Sequence, residues 1–217
     1  MKSKTMKITM LAFVLIGTIA CKNTEKEVET EIEEVAEASE MAHEYIVDTA
    51  NSVIKWEGSK PTGTHHGTIE LSSGSFSVHQ GNVEAGKFVI DMSTITDLDL
   101  EGEKKASLEA HLKGTAEGQE GDFFDIQKYP TATFELTGTE GNMIKGNLTI
   151  KEKTNAIEFP ASVIIEGNRL SLKSETIELD RTKWGVNYGS KSIFPNLGDQ
   201  FINDTIKITV SLTATKA

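Results

Sequence analysis

The sequence predicts an all-β domain over residues 45–217, folded as an antiparallel barrel or sandwich. Three observations predict it. From Tyr45 onward apolar residues recur at every second position, the period of a strand with one buried face. Turn-forming groups, Ser72-Ser73-Gly74, Gly81-Asn82, Gly141-Asn142 and Gly167-Asn168, fall where hairpins must reverse. A single stretch, Glu101 to Lys113, is rich in Ala, Leu, Lys and Glu, and it stops at Gly114 as a helix does. Many strands with short links and one apolar face each close into a barrel or stack as two sheets.

The elements follow in order. Ile54 and Trp56 alternate with Val53, Lys55 and Glu57. Ile69 and Leu71 come next, then Phe88, Ile90 and Met92, where Val89 interrupts the polar face. Phe134 and Leu136 alternate with Thr133, Glu135 and Thr137, and Leu148 and Ile150 with Asn147, Thr149 and Lys151. Ile157, Phe159, Ala161, Val163 and Ile165 form the longest apolar file. Leu170 and Leu172 open a strand that Ile177 and Leu179 extend after a slip in phase. Ile206, Ile208, Val210 and Leu212 close the chain.

Composition narrows the function classes. Of 217 residues, 37% are hydrophobic and 25% charged, the balance of a soluble globular chain. Lys and Arg number 22 against 33 Asp and Glu, a net charge of −11, so nucleic acid is not an expected partner. One Cys excludes an intrachain disulfide and a Cys-built metal cage.

The first 44 residues have a different character. Lys2, Lys4 and Lys7 precede an apolar run from Ile8 to Ala20, too short to span a bilayer, and residues 1–20 read as a secretion signal. The run ends in Thr18-Ile19-Ala20-Cys21, which resembles a bacterial lipobox. That resemblance implies lipidation of Cys21 and a membrane anchor of several acyl chains. Residues 21–44 carry nine Glu and no aromatic residue and read as an acidic flexible tether. Acidic residues directly after such a Cys resemble the surface-export signals of some Gram-negative groups.

Chemical motifs are few. The chain has no Gly-rich phosphate loop, nucleophile elbow or H-E-x-x-H. Asp97-Leu98-Asp99-Leu100-Glu101-Gly102 imitates the start of a calcium loop, but Lys104 and Leu108 stand where an apolar residue and a bidentate Glu belong. It reads as a solvated turn leading into the helix. His65 and His66 are adjacent on a strand and so point to opposite faces. No metal, cofactor or catalytic residue is expected, and the protein reads as a non-enzyme. Arg169 and Arg181 are the only arginines; Arg181 is either a structural ion pair at a strand end or a contact to a ligand head group.

Several blocks in order resemble the YceI-like family of bacterial periplasmic polyisoprenoid-binding proteins. They are Leu108 with His111-Leu112-Lys113, Asp122-Phe123-Phe124-Asp125, Tyr129-Pro130-Thr131-Ala132-Thr133-Phe134 and Gly146-Asn147-Leu148-Thr149-Ile150-Lys151. Phe159-Pro160, Asp180-Arg181-Thr182-Lys183-Trp184-Gly185-Val186 and Leu197-Gly198-Asp199 continue the series. The resemblance spans Tyr45 to Ala214. Two loops depart from it: an extra stretch from Gly114 to Gly121, and the turn Glu152-Lys153-Thr154-Asn155.

The resemblance implies an extended lipocalin-like antiparallel barrel of about eight strands, with one short helix near 101–113. It also implies binding without chemistry: a long polyisoprenoid, isoprenoid-quinone or fatty-acyl chain held inside the barrel. The inward files then supply the lining: Ile54, Trp56, Phe88, Ile90, Phe134, Leu136, Leu148, Ile150, Phe159, Ala161, Val163, Leu172, Ile208 and Val210, joined by Phe124 and Trp184. A structural lipoprotein with a filled barrel is the competing expectation. The expected partners are the lipid and a membrane, with a homodimer as a further candidate assembly. The expected place is the Gram-negative cell envelope, at the periplasmic face or on the outer-membrane surface.

Overall fold

A computed structural model describes residues 32–217. Its strands are β1 (His43–Val47), β2 (Val53–Lys60), β3 (Gly63–His79), β4 (Asn82–Asp97), β5 (Thr131–Glu140) and β6 (Met143–Ile150). They continue as β7 (Lys153–Glu166), β8 (Arg169–Ser174), β9 (Ile177–Asp180) and β10 (Thr205–Lys216), with helix α1 (Gly102–Lys113) between β4 and β5. Antiparallel pairing runs β10-β2-β3-β4-β5-β6-β7-β8 and returns from β8 to β10, a closed ring of eight strands. Closure leaves no free edge to the ring and sends the alternate apolar residues inside.

The two remaining strands extend members of the ring. β1 precedes β2 and pairs with the end of β10 and with β3; a one-turn 3-10 helix capped by Asp48 separates it from β2. β8 and β9 lie end to end along β10, with Leu172 opposite Leu212 and Ile177 opposite Ile208. The break at Glu175 and Thr176 is the slip in phase: the buried apolar residues are Leu170 and Leu172 before it, Ile177 and Leu179 after it.

One expected turn is absent. β3 runs straight through Ser72-Ser73-Gly74 for 17 residues, and its register against β4 shifts between Leu71 and Ser73. The Ser-Gly group marks a bulge, which bends a long barrel strand without ending it. Gly74 is required there because a Cβ would lie 2.7 Å from the Phe88 ring.

The described part of the acidic segment is tied to the barrel instead of hanging free. β4 and β5 stop pairing beyond Lys87 and Glu135, which leaves the Leu136 carbonyl without a ladder partner. The Ala36 N–H donates to it at 2.9 Å. Buried Asn147 exchanges two hydrogen bonds with the Glu33 backbone, at 3.2 and 2.7 Å. Further along, the Ser39 N–H donates to Glu84 at 2.9 Å.

The 114–121 loop closes on itself through a 3.0 Å bond from Gly121 N–H to the Gly114 carbonyl. Phe124 and Ile126 therefore still bond to the Leu112 and Lys113 carbonyls, and the aromatic block stays against the end of α1.

Candidate ligand chamber and vestibule

The barrel holds a cavity of about 120 Å³ whose lining side chains are all apolar. Its wall carries a row of rings from four strands: Phe76 to Phe88 at 4.9 Å, Phe88 to Phe134 at 6.2 Å, Phe134 to Phe159 at 5.8 Å. Edge and tilted contacts of this kind hold aromatic side chains in fixed positions. Gly146 on β6 makes the row possible, since a Cβ there would lie 2.3 Å from the Phe134 ring. Beyond the rings the barrel is solid: Tyr45, Val78, Leu170 and Ala214 are buried and do not line the cavity. The Tyr45 hydroxyl bonds the Gly167 carbonyl at 3.0 Å across that closed end.

The other end opens into a vestibule of about 470 Å³. The β2–β3 hairpin, α1 and the segment after β9 surround it, through Lys60, Leu108, His111, Arg181, Tyr188 and Gln200 among others. Chamber and vestibule share Ile69, Phe124, Ile206 and Ile208, so Phe124 stands at the passage between them.

The vestibule wall is held by polar bonds. Arg181 is buried, and its guanidinium donates to the carbonyls of Asn203, Val186 and Ile202, with Asp204 at 3.6 Å. Burial lowers its pKa, and Asp204 and Asp180 oppose the shift; an arginine remains charged regardless. Three of its five N–H donors are thus spent on folding the 186–203 segment, the structural of the two roles open to it from sequence. His111 stacks edge-on against Phe123 and Tyr188, at 5.0 and 4.4 Å, and its Nε2 lies 3.1 Å from Asp122. Phe123 has φ of +51°, a left-handed conformation that a bulky residue adopts at a cost. Lys151 holds it there by donating to its carbonyl at 2.7 Å, and burial pushes the Lys151 pKa down. The Trp56 ring lies over Gly67, and its indole N–H is buried without a partner among the described residues.

Of the sixteen sequence-predicted lining residues, twelve face the chamber: Ile54, Phe88, Ile90, Phe124, Phe134, Leu136, Leu148, Ile150, Phe159, Leu172, Ile208 and Val210. Trp56 faces the vestibule. Ala161, Val163 and Trp184 face neither. Ala161 and Val163 follow Phe159 on β7; Ala161 is buried in the packed core of the closed end and half-buried Val163 packs against it. Trp184 is buried in the turn after β9, where its indole donates to the Leu148 carbonyl at 2.9 Å. Ile144, Ile157, Ile177 and Ile206 line the chamber unforeseen, although their strand phase marks them. Tyr188, Gln200 and Ile202 have no such signal, because they lie in irregular segments. Cys21 lies outside the described residues. No helix among the described residues is long and apolar enough to cross a membrane.

A family model described as the YceI-like domain matches residues 45–214. A UPF0312 protein of Pseudomonas paraeruginosa is 31% identical over 107 residues, 48% of this chain and 51% of that protein. A UPF0312 protein of Pseudomonas putida is 28% identical over 135 residues, 58% of this chain and 65% of that one. The chain spans about half the length of the first of these curated relatives. Among solved structures, BcnA of Burkholderia cenocepacia superposes with a TM-score of 0.60 at 21% identity, covering 78% of this chain and 99% of that one. A polyisoprenoid binding domain from Saccharophagus degradans superposes with a TM-score of 0.57 at 13% identity, covering 85% and 100%. At such identities the likeness is one of fold. Because the family match runs from the first strand of the barrel to the last, the chain belongs to the YceI-like family.

Proposed function

We propose that this protein binds a long apolar chain, polyisoprenoid, isoprenoid-quinone or fatty-acyl, threaded through the vestibule into the chamber. The chamber carries the proposal. An apolar space offers water no partner and stays dry, so hydrocarbon is its natural occupant. Each five-carbon isoprene unit buried contributes roughly 3–4 kcal/mol before the entropic cost of binding. The vestibule, apolar over most of its lining with Lys60, His111 and Gln200 among its polar groups, suits the neck and head of such a lipid, and the unpartnered Trp56 N–H is buried in its wall. The solved domain from Saccharophagus degradans is itself described as polyisoprenoid binding, which supports the same reading. The role is carriage or storage without catalysis, at the envelope membrane to which lipidated Cys21 anchors the chain.

Native mass spectrometry of protein extracted from its own membrane tests the binding. Wild type is expected to carry a lipid, and a folded Ala132→Phe variant, whose ring enters the chamber, is expected to carry none. A delipidated, folded protein that takes up no polyprenyl, quinone or acyl ligand at micromolar concentration would falsify the proposal. Cys21→Ser is expected to release the protein from the membrane fraction; a variant that stayed bound would remove the anchor from the account.

A further inference from the structure

A second feature lies at the rim of the vestibule, outside the chamber. His65 from β3, Asp97 at the end of β4 and Asp99 in the bend before α1 converge, one ligand atom of each within 4.8 Å of the others. Strand pairing brings them together. Gly67 stands opposite Asp97, and the Leu98 N–H continues the ladder to the His66 carbonyl at 2.9 Å. The His66 N–H then donates to Asp99 Oδ1 at 2.8 Å, and His65 Nδ1 sits 2.9 Å from Asp99 Oδ2.

Asp97 is not the solvated turn residue that the sequence predicts. It is fully buried. Its Oδ1 accepts from the amides of Asp99 and Leu100, at 3.3 and 2.7 Å. Its Oδ2 is buried with no partner among the described residues. A carboxylate oxygen stripped of both water and donors is costly, and it calls for an ion or a proton. Among the described residues no Lys or Arg forms an ion pair with Asp97 or Asp99. On α1, Lys105 lies 3.7 Å from Glu109, whose carboxylate accepts from the Asp97 amide.

The geometry points to a divalent transition-metal site of the zinc type, held by His65, Asp97 and Asp99, with water completing the coordination. One imidazole nitrogen and two carboxylate oxygens suit zinc better than calcium, which takes six to eight oxygens. The side chains of His65 and Asp99 are 30% and 22% exposed, which leaves the water side open while Asp97 closes the interior. A cation here would pin the bend that leads into α1, and so the position of Leu108, His111 and Leu112 over the vestibule. The site does not depend on what the chamber binds.

The test uses untagged, chelator-treated full-length protein, with Zn²⁺ alone as the probe, in calorimetric titration and thermal unfolding. One zinc is expected to bind, and to raise the Tm by roughly 5–10 °C when present at a hundredfold over its Kd. Asp97→Asn keeps the Oδ1 acceptor, and His65→Gln alters a partly exposed side chain; each is expected to weaken binding at least about tenfold. If Asp97→Asn does not fold, His65→Gln decides alone. The proposal is overturned if wild type shows no zinc-dependent rise, in which case Asp97 Oδ2 shares a proton with Asp99. It is overturned equally if folded His65→Gln binds zinc as wild type does, which would place the ion elsewhere in the chain.

Discussion

At its closed end the barrel is made of strands whose alternate residues meet in a solid core: Tyr45, Val78, Leu170 and Ala214 are buried there. At its open end the wall is made of a helix with no buried residue, a hairpin and an irregular segment held by Arg181. The closed end draws its strength from apolar contact, spread over many side chains. The open end draws its shape from a few polar bonds around space. Stability and binding are thus assigned to opposite ends of the barrel, and substitutions at the two ends should separate them.

The largest expected effect sharpens that division. Leu170→Ala removes a fully buried side chain of the closed end and should cost about 2–5 kcal/mol in urea unfolding. Phe124→Ala, at a half-buried ring in the passage, should cost less and yet weaken lipid binding more. Equal affinity in folded Phe124→Ala would demote that ring from ligand path to plug.

The next pair exploits small residues. Ala161→Trp overpacks the solid end and should destabilise by roughly 1–3 kcal/mol, while Ala132→Phe extends into existing space and should cost under about 1.5 kcal/mol. Should the two variants melt alike, the chamber at Ala132 would not be real space.

A smaller effect belongs to Trp56. Trp56→Phe removes a buried donor that has no partner among the described residues, so stability should hold or rise slightly. Fluorescence-based titration should show weaker binding of polar-headed lipids, with plain hydrocarbon tails unaffected. A uniform loss across both would mean that the ring acts by its size alone.

The smallest effect concerns the strap at residues 36–39. Bonds from the Ser39 amide and hydroxyl, with His79 beside them and burial opposing, hold the Glu84 carboxyl below its ordinary value of 4.5. A depressed carboxyl stabilises the clasp above that ordinary value and loses the contribution as pH falls through the lowered one. Hydrogen exchange at Ala36 and Ser39, corrected for intrinsic rates, should therefore quicken in acid. Unchanged protection down to pH ~3 would leave Asn147 and the Leu136 carbonyl as the whole of the clasp.

How much of this was legible differs from residue to residue. The phase slip between Leu172 and Ile177 could be read because one skipped residue moves every later side chain to the other face. The Ser72-Ser73-Gly74 bulge could not, because a bulge and a turn use the same small residues. Ala161 sits in the correct phase, but phase specifies a face of the sheet and not a depth along the barrel. Asp97 carries no mark of burial in its local sequence; its environment comes from β3 and α1.

By itself the sequence determined the strand period, the single helix and the inward set of apolar residues, because side-chain alternation is a local property of the backbone. Only the tertiary structure decided where that interior is full and where it is open. Ring closure sets β8 beside β10, the β5–β6 pairing sets Phe134 over Gly146, and the strap ties Glu33 to Asn147 across 114 positions. Space is what neighbouring side chains fail to fill. It therefore depends on partners brought together from distant parts of the chain, and no local pattern records it.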